Sequence, residues 1–420
     1  MGSMLIKAER IFDGQSDQVL EHAYVLVNGG LIEAIGPQSE LDGSTGKFAQ
    51  EIDLGSNVTL MPGLINMHTH MSFSGSATVF ADHQTESHEM KLIRSVENLK
   101  MALRTGVTTV RDCGTLNGIA FPMREAVENG IFQAPRVIAS GQGITITGGH
   151  LWFCGVEADD EAGVRRAVRS QVKAGADFIK AFATGGNTTP RTNSLAAQYS
   201  EAEMCAITEE AQRLNVHVAA HAHGTPGVRN SIRAKVTTIE HCSFMTAAGV
   251  GYEPDEVRMI ADAGLYVCPT IFQGRGKYLD REQAKESAEV AHFFDLRDQR
   301  FTLVRRLVED GVQIVSGSDS GVGYNSFDDY PGDLVLATEG TDLSPLYMLK
   351  TATSIAAEAT GTQRFGDTRT RQSRRPVRRA RQSATRYPGL DPTPAGGVAR
   401  SGYRLTACLA MVMLDRAFFS

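Results

Sequence analysis

No apolar run in the chain reaches the ~18 residues that cross a membrane, so no spanning segment is expected among the 420 residues. The opening Met1-Gly-Ser-Met-Leu-Ile-Lys7 has no long apolar core and no cleavage pattern, so no export signal is expected. Cysteine is sparse. Cys113, Cys154, Cys205, Cys242, Cys268 and Cys408 are scattered, with no Cys-x-x-Cys spacing. That pattern argues against a disulfide frame and points to reduced thiols in a cytoplasmic protein. Positive charge is scarce outside the end of the chain. The last sixty residues hold twelve Arg against three Asp, with no Lys or Glu, while the whole chain carries −6. Residues 1–360 therefore hold −15, an acidic body that does not suit nucleic acid. Neither a nucleic acid nor a membrane is expected as a partner. A small-molecule substrate is, and a homo-oligomer is compatible with the sequence.

Apolar residues make up 42% of the chain and charged ones 21%, as in soluble globular proteins. The first sixty residues read as a small β domain. Leu5-Ile-Lys-Ala-Glu-Arg-Ile-Phe12 and Tyr24-Val-Leu-Val-Asn28 are strand-like, and Asn28-Gly29-Gly30 signals a hairpin into Leu31-Ile-Glu-Ala-Ile-Gly36. From residue 58 the pattern changes. Strand-like runs at 58–70, 108–112, 136–140, 178–183, 216–221, 237–241, 265–270 and 312–319 alternate with amphipathic stretches such as 86–104, 160–174, 200–214 and 295–310. Eight strands alternating with helices predict an α/β fold, a (β/α)8 TIM-like barrel. A doubly wound open sheet shows the same alternation.

In such a barrel, working residues project from the carboxyl ends of the strands. His68 and His70, one residue apart on an extended run, face the same way. Two neighbouring imidazoles make up part of a metal site. Lys180 lies inside an apolar run, where a charged, unpaired ammonium is costly; a snorkelling side chain is the bland reading. His217, His221 and His223 share one parity, Glu240-His241 ends the sixth run, and Asp319 ends the eighth.

His68-Thr-His70 after Met61-Pro-Gly63, Gly106-Val-Thr-Thr-Val-Arg-Asp112, Phe178-Ile-Lys180, His221-Ala-His-Gly224, Ile239-Glu-His241 and Gly317-Ser-Asp319 occur in this order. Together they resemble the amidohydrolase superfamily over residues 4 to about 365. More locally the chain resembles the branch of imidazolonepropionase-related enzymes and metal-dependent Xaa-Pro (prolidase-like) and Xaa-Arg/Lys dipeptidases. The resemblance implies two divalent ions, most simply Zn2+. It assigns His68, His70 and Asp319 to one ion, His221 and His241 to the other, and a carboxylated Lys180 as the bridge. It further implies attack on an amide by a metal-bridging hydroxide, with Asp319 as the proton shuttle.

Gly148-Gly-His150 and Gln198-Tyr-Ser200 resemble the branch's substrate loops, which makes His150 a catalytic or substrate-binding candidate and Tyr199 and His223 substrate contacts. Ser200 and Glu203 also read as a helix capping box. Arg275 and Lys277 lie where they would meet an anionic substrate group or merely solvent. The expected substrates are dipeptides or N-acyl amino acids with a free carboxylate on the leaving side. The alternative is a non-peptide amide, carbamate, urea or cyclic amide. A non-catalytic scaffold, or a nucleic-acid binder acting through the Arg-rich end, is the reading from outside the enzymes.

Three segments are expected: 1–60, the N-terminal part of a small β-sandwich domain; 61–366, the barrel; and 367–420, a tail foreign to the family. The tail reads Thr368-Arg-Thr-Arg-Gln-Ser-Arg-Arg-Pro-Val-Arg-Arg-Ala-Arg-Gln382 where closing strands of the small domain are expected. Permitted codons for Arg371 to Leu390, read one base later, yield Gly-Asn-Pro-Ala-Asp-Leu and then Gly-Asn-Pro-Leu-Arg-Asp, the absent family pattern. The tail is therefore expected to be frameshifted and unstructured, leaving the sandwich without its C-terminal strands.

Overall fold

A computed structural model describes residues 3–41 and 48–361, apart from the side chains of residues 275, 277, 283 and 284. The frameshift reading and the closing strands fall outside the described residues. So do the side chains proposed at Arg275 and Lys277.

Five strands form one N-terminal sheet: β1 (Met4–Ile11), β2 (Leu20–Asn28), β3 (Leu31–Pro37), β4 (Gln50–Asp53) and β5 (Thr59–Leu60). β1 is central, antiparallel to β2 and parallel to β4 and β5. The β2–β3 hairpin turns at Gly29 and Gly30, whose φ angles of 61° and 84° need no Cβ to be accommodated. Alternate residues, among them Ala23, Val25 and Val27, bury one face with Met4, Ile6, Ile11 and Leu60.

The expected strand 58–70 is two strands. Pro62 has no N–H to give a ladder, and a Cβ at Gly63 would stand 2.2 Å from the Thr108 side chain. The chain therefore leaves the small sheet after β5 and re-enters strand geometry as β6 (Leu64–Thr69). β6 pairs in parallel with β7 (Val107–Asp112), and β7 with β8 (Arg136–Ala139). A second sheet holds β9 (Ile144–Thr145), β10 (Val156–Glu157), β11 (Phe178–Phe182), β12 (His217–Gly224), β13 (Thr238–Thr246), β14 (Gly249–Val250), β15 (Tyr266–Cys268) and β16 (Gln313–Ile314). All its pairings are parallel except the short β13–β14 ribbon.

Hydrogen bonds join the two parallel sheets at both edges. On one side the Asp177 amide donates to the Ala139 carbonyl at 2.9 Å. On the other, β16 stops after two residues, yet the segment that follows it keeps hold of β6. Met67 N donates to Ser316 O (3.0 Å), Asp319 N to His68 O (2.8 Å) and His70 N to Ser320 O (2.8 Å). The ladder loses regularity there because Asp319 sits at φ 61°.

Helices fill the connections. Glu161–Ala174 starts at Asp160, whose carboxylate accepts from Gly163 N, and ends at Gly175 with φ 110°. Ala288–Glu309 begins seven residues before the periodicity of 295–310 suggests. Outward strand residues such as Ile179, Val218, Ile239 and Val267 pack on Val164, Ile207, Ile232, Ile260 and Leu307. Burying each such side chain contributes about 1.5–3 kcal/mol. The opposite parity of β11 turns Phe178, Lys180 and Phe182 toward the interior. No helix among the described residues is long and apolar enough to cross a membrane.

Candidate metal centre and active site

The carboxyl ends of β6, β11, β12 and β13 and the segment after β16 converge on one cluster. His68 Nε2 lies 3.4 Å from Lys180 Nζ and 3.4 Å from Asp319 Oδ1. His70 Nε2 lies 3.4 Å from the same Asp319 oxygen. Beside them, His221, His223 and His241 place nitrogen atoms within 4.8 Å of one another. His68 and His241 link the halves, with ring centroids 5.1 Å apart.

Each of the four predicted imidazole ligands has one nitrogen tied to the protein and the other left for the cluster. His68 Nδ1 donates to Glu240 Oε2 at 2.7 Å, and His70 Nδ1 to the Gly114 carbonyl at 3.0 Å. His221 Nε2 donates to the Gly185 carbonyl at 3.0 Å. Thr270 gives its hydroxyl proton to Pro269 O, so it accepts from His241 Nδ1 at 2.6 Å. Asp319 Oδ1 is buried without a hydrogen-bond partner, which is costly unless something of positive charge faces it. Unprotonated nitrogens and an orphaned carboxylate oxygen are the donor set that divalent ions take.

The electrostatics agree with that chemistry. Burial lowers the His68 pKa to about 4, helped by Lys180. Burial, with His223, lowers His241 well below the usual range; burial, with His150, does the same for His221. Neutral imidazoles keep their lone pairs for a cation. Burial pushes Asp319 upward, but His68 and His70 prevail and hold it well below the usual carboxylate range. His241 and Asp319 both occupy the left-handed region, at φ 66° and 61°. For residues other than Gly such conformations cost about 1–3 kcal/mol and gather at functional sites.

Of the proposed substrate contacts, two reach the cluster. The His150 ring stands 4.5 Å from that of His221 and edge-on to Phe182 at 5.3 Å. Its Nδ1 is buried with no partner. A Cβ on Gly186 would lie 2.4 Å from the ring, so that glycine makes room for it. His223 stacks on His241 at 4.4 Å, and its Nδ1 pairs with Ser243 Oγ at 3.0 Å. Tyr199, expected as a substrate contact, is not among the side chains gathered at the cluster. It is buried in the hydrophobic core behind β11, and its hydroxyl donates to Ala158 O at 2.8 Å. Its neighbour Ser200 forms the capping box with Glu203 that opens helix Glu201–Arg213.

Sequence reasoning gave no role to several residues around the cluster. Arg111 and Glu240 form a fully buried pair beneath His68, with Arg111 Nη2 2.5 Å from Glu240 Oε1. Charged residues inside apolar strand runs were the available signal. His68, Glu240 and Cys268 also come close enough to suggest a ligand group. Glu240 is instead filled by hydrogen bonds, accepting from Arg111, Thr238 and His68. Asp112, whose pKa burial raises to about 6, accepts from Met71 N and Thr115 Oγ1 and braces the turn after His70. Arg300 reaches in from helix Ala288–Glu309 to donate to Pro269 O and to Thr270 O, the latter at 3.3 Å. Nothing in the helical pattern marked it.

The parallel strands and the convergence of histidines, lysine and aspartate at their carboxyl ends define a TIM-barrel-like α/β enzyme with candidate metal-binding groups. The amidohydrolase family profile matches residues 59–368, so the chain belongs to that family and is a hydrolase of C–N bonds. It is 28% identical to ochratoxinase of Aspergillus niger, covering 82% of this chain and 74% of that one. It is 24% identical to imidazolonepropionase of Arthrobacter sp. (strain FB24), covering 58% and 61%. The solved structure of a Xaa-Pro dipeptidase with methionine bound in its active site superposes with a TM-score of 0.74. Identity there is 28%, over 88% of this chain and 92% of that one.

Proposed function

We propose that the protein is a binuclear metal hydrolase that cleaves dipeptides or N-acyl amino acids bearing a free carboxylate on the leaving side. The observation that carries this reading is the set of inward-facing donors: His68 and His70 with the unpartnered Asp319 on one side, His221 and His241 on the other, Lys180 between them. His68, His70 and Asp319 would hold one ion and His221 and His241 the second, with carboxylated Lys180 shared. Imidazole and carboxylate donors suit Zn2+. Bound divalent ions supply Lewis acidity and an activated water at neutral pH.

The chain's own groups do the rest. Asp319, ionised at neutral pH, takes a proton from the attacking water and passes it to the departing amine. His150, neutral and facing His221, presents a ring nitrogen to the substrate carbonyl. Arg300, half-buried and electrostatically coupled to Asp319 and His223, supplies positive charge for the leaving-side carboxylate. The Xaa-Pro dipeptidase superposition supports the dipeptide choice. The reading takes the parallel strands as one closed (β/α)8 barrel and the N-terminal sheet as one layer of a sandwich. The five described free thiols support a cytoplasmic setting. A small-molecule substrate is the proposed partner, and a homo-oligomer is compatible with this reading.

The test is elemental analysis of the purified protein beside Lys180→Ala, joined to turnover of a panel of Xaa-Pro, Xaa-Arg and N-acyl amino-acid substrates against carbamates, ureas and cyclic amides. About two divalent ions per chain, fewer in the variant, with turnover confined to carboxylate-bearing amides, is expected. Metal-free wild type, or turnover only of the second group, would sink the reading.

A further inference from the structure

We propose that Glu240, clamped by Arg111 and Thr238, is a positioning residue that sets the tautomer of His68 and so governs how tightly the site would hold its first metal ion. The inference rests on the metal-hydrolase reading above but concerns residues outside the assigned ligand set.

The argument is one of donors and acceptors. Arg111 has only donors. Its Nη2 donates to Glu240 Oε1 at 2.5 Å, its Nη1 to Thr238 Oγ1 at 3.0 Å and its Nε to Met67 O at 2.6 Å. Thr238 in turn gives its hydroxyl proton to the same Oε1 at 2.6 Å. Oε1 therefore faces two donors, and only an oxygen satisfies that position. The other oxygen, Oε2, faces His68 Nδ1 at 2.7 Å. A carboxylate there accepts, so the imidazole carries its proton on Nδ1 and keeps Nε2 bare. Nε2 is the nitrogen that faces Lys180 and Asp319, each at 3.4 Å. Arg111 also grips the carbonyl of Met67, the residue before His68, so one guanidinium holds both the ring's partner and the backbone that carries the ring. Such outer partners typically govern metal affinity by on the order of 10–100-fold.

The design has a specific weakness. Glu240→Gln keeps the shape but not the symmetry of the carboxylate. Arg111 and Thr238 demand the amide oxygen at the Oε1 position, which turns the NH2 group toward His68 Nδ1. That nitrogen must then accept, and the ring proton moves to Nε2, where it blocks the ligand lone pair. A merely structural role for Glu240 predicts no such tautomer change.

The experiment is 15N-histidine NMR of the metal-free protein, with His68 assigned through His68→Asn, alongside zinc titration of wild type, Glu240→Gln and Glu240→Asp. Wild type is expected to show the Nδ1–H tautomer and Glu240→Gln the Nε2–H tautomer. Affinity for one of two zinc ions should fall 10–100-fold in Glu240→Gln, with recovery toward wild type in Glu240→Asp. An Nε2–H tautomer in wild type overturns the proposal whether or not the variant folds. Wild-type zinc loading in Glu240→Gln overturns it as well. A wild type that takes no zinc but shows the tautomer switch would remove the metal reading and leave the positioning role standing.

Discussion

At the scale of single residues, the centre is a problem of which nitrogen keeps its lone pair. The four proposed ligand imidazoles each give one N–H to a fixed acceptor, and none of those acceptors is itself in the ligand set. His150 differs. Its Nδ1 is buried and unpartnered, while its backbone N–H is held by Gln198 at 2.7 Å. Its backbone is fixed and its ring is left free to meet a substrate. His150→Asn should therefore lower kcat on the order of 100-fold, the scale of losing one transition-state donor, while metal content stays at the wild-type level. Steady-state kinetics and elemental analysis of one preparation check this. A parallel loss of metal would move His150 into the ligand set.

At the scale of elements, the helices carry their own electrostatics away from the chemistry. Glu210 on helix Glu201–Arg213 accepts from Arg169 Nε at 2.8 Å and Nη2 at 3.0 Å, tying it to helix Glu161–Ala174, and from Arg213 on its own helix. Hydrogen bonds from Arg169 and then Arg213 lower its pKa to about 2. A carboxylate lowered in the folded state stabilises above its unfolded value, near 4.5, and that stability is lost as the pH falls toward 2. The arginines are half exposed, so the effect is modest. Thermal melts of wild type and Glu210→Gln should differ most at neutral pH and converge as the pH drops below 4.5. A gap independent of pH would show that the ion pair does not stabilise.

At the scale of the whole molecule, the cluster draws on strands and a following segment spread from residue 64 to residue 320 along the chain, so ions bound there would tie the two parallel sheets together. A ligand that binds only the folded state stabilises it by mass action, about 2.7 kcal/mol at a hundred times its dissociation constant. Chelation is therefore expected to lower the melting temperature and stoichiometric Zn2+ to restore it, as scanning calorimetry will show. A melting temperature indifferent to chelator would mean that the cluster binds no ion of consequence.

Much of this organisation was legible in the chain. Period-two parity put His68 with His70 and His221 with His223, and the alternation of apolar runs with amphipathic stretches laid out parallel strands and covering helices, because those repeats are local geometry. The hairpin at Gly29-Gly30 and the capping box at Ser200 were legible for the same reason. The break at Pro62-Gly63 was not, since what requires it is the Thr108 side chain on a neighbouring strand. Tyr199 sits beside a cap and reads as a residue of a substrate loop until its hydroxyl is found donating to Ala158 O, a contact set by the tertiary fold. The partnership of Arg111 with Glu240, 129 residues apart, and the approach of Arg300 to Thr270 depend on strand register and helix placement. The sequence by itself determined which side chains alternate onto the inner face of each strand. Only the tertiary structure decided which of them meet, and which nitrogen of each imidazole is left free, because a tautomer is set by the acceptor across the strand and not by the neighbours along it.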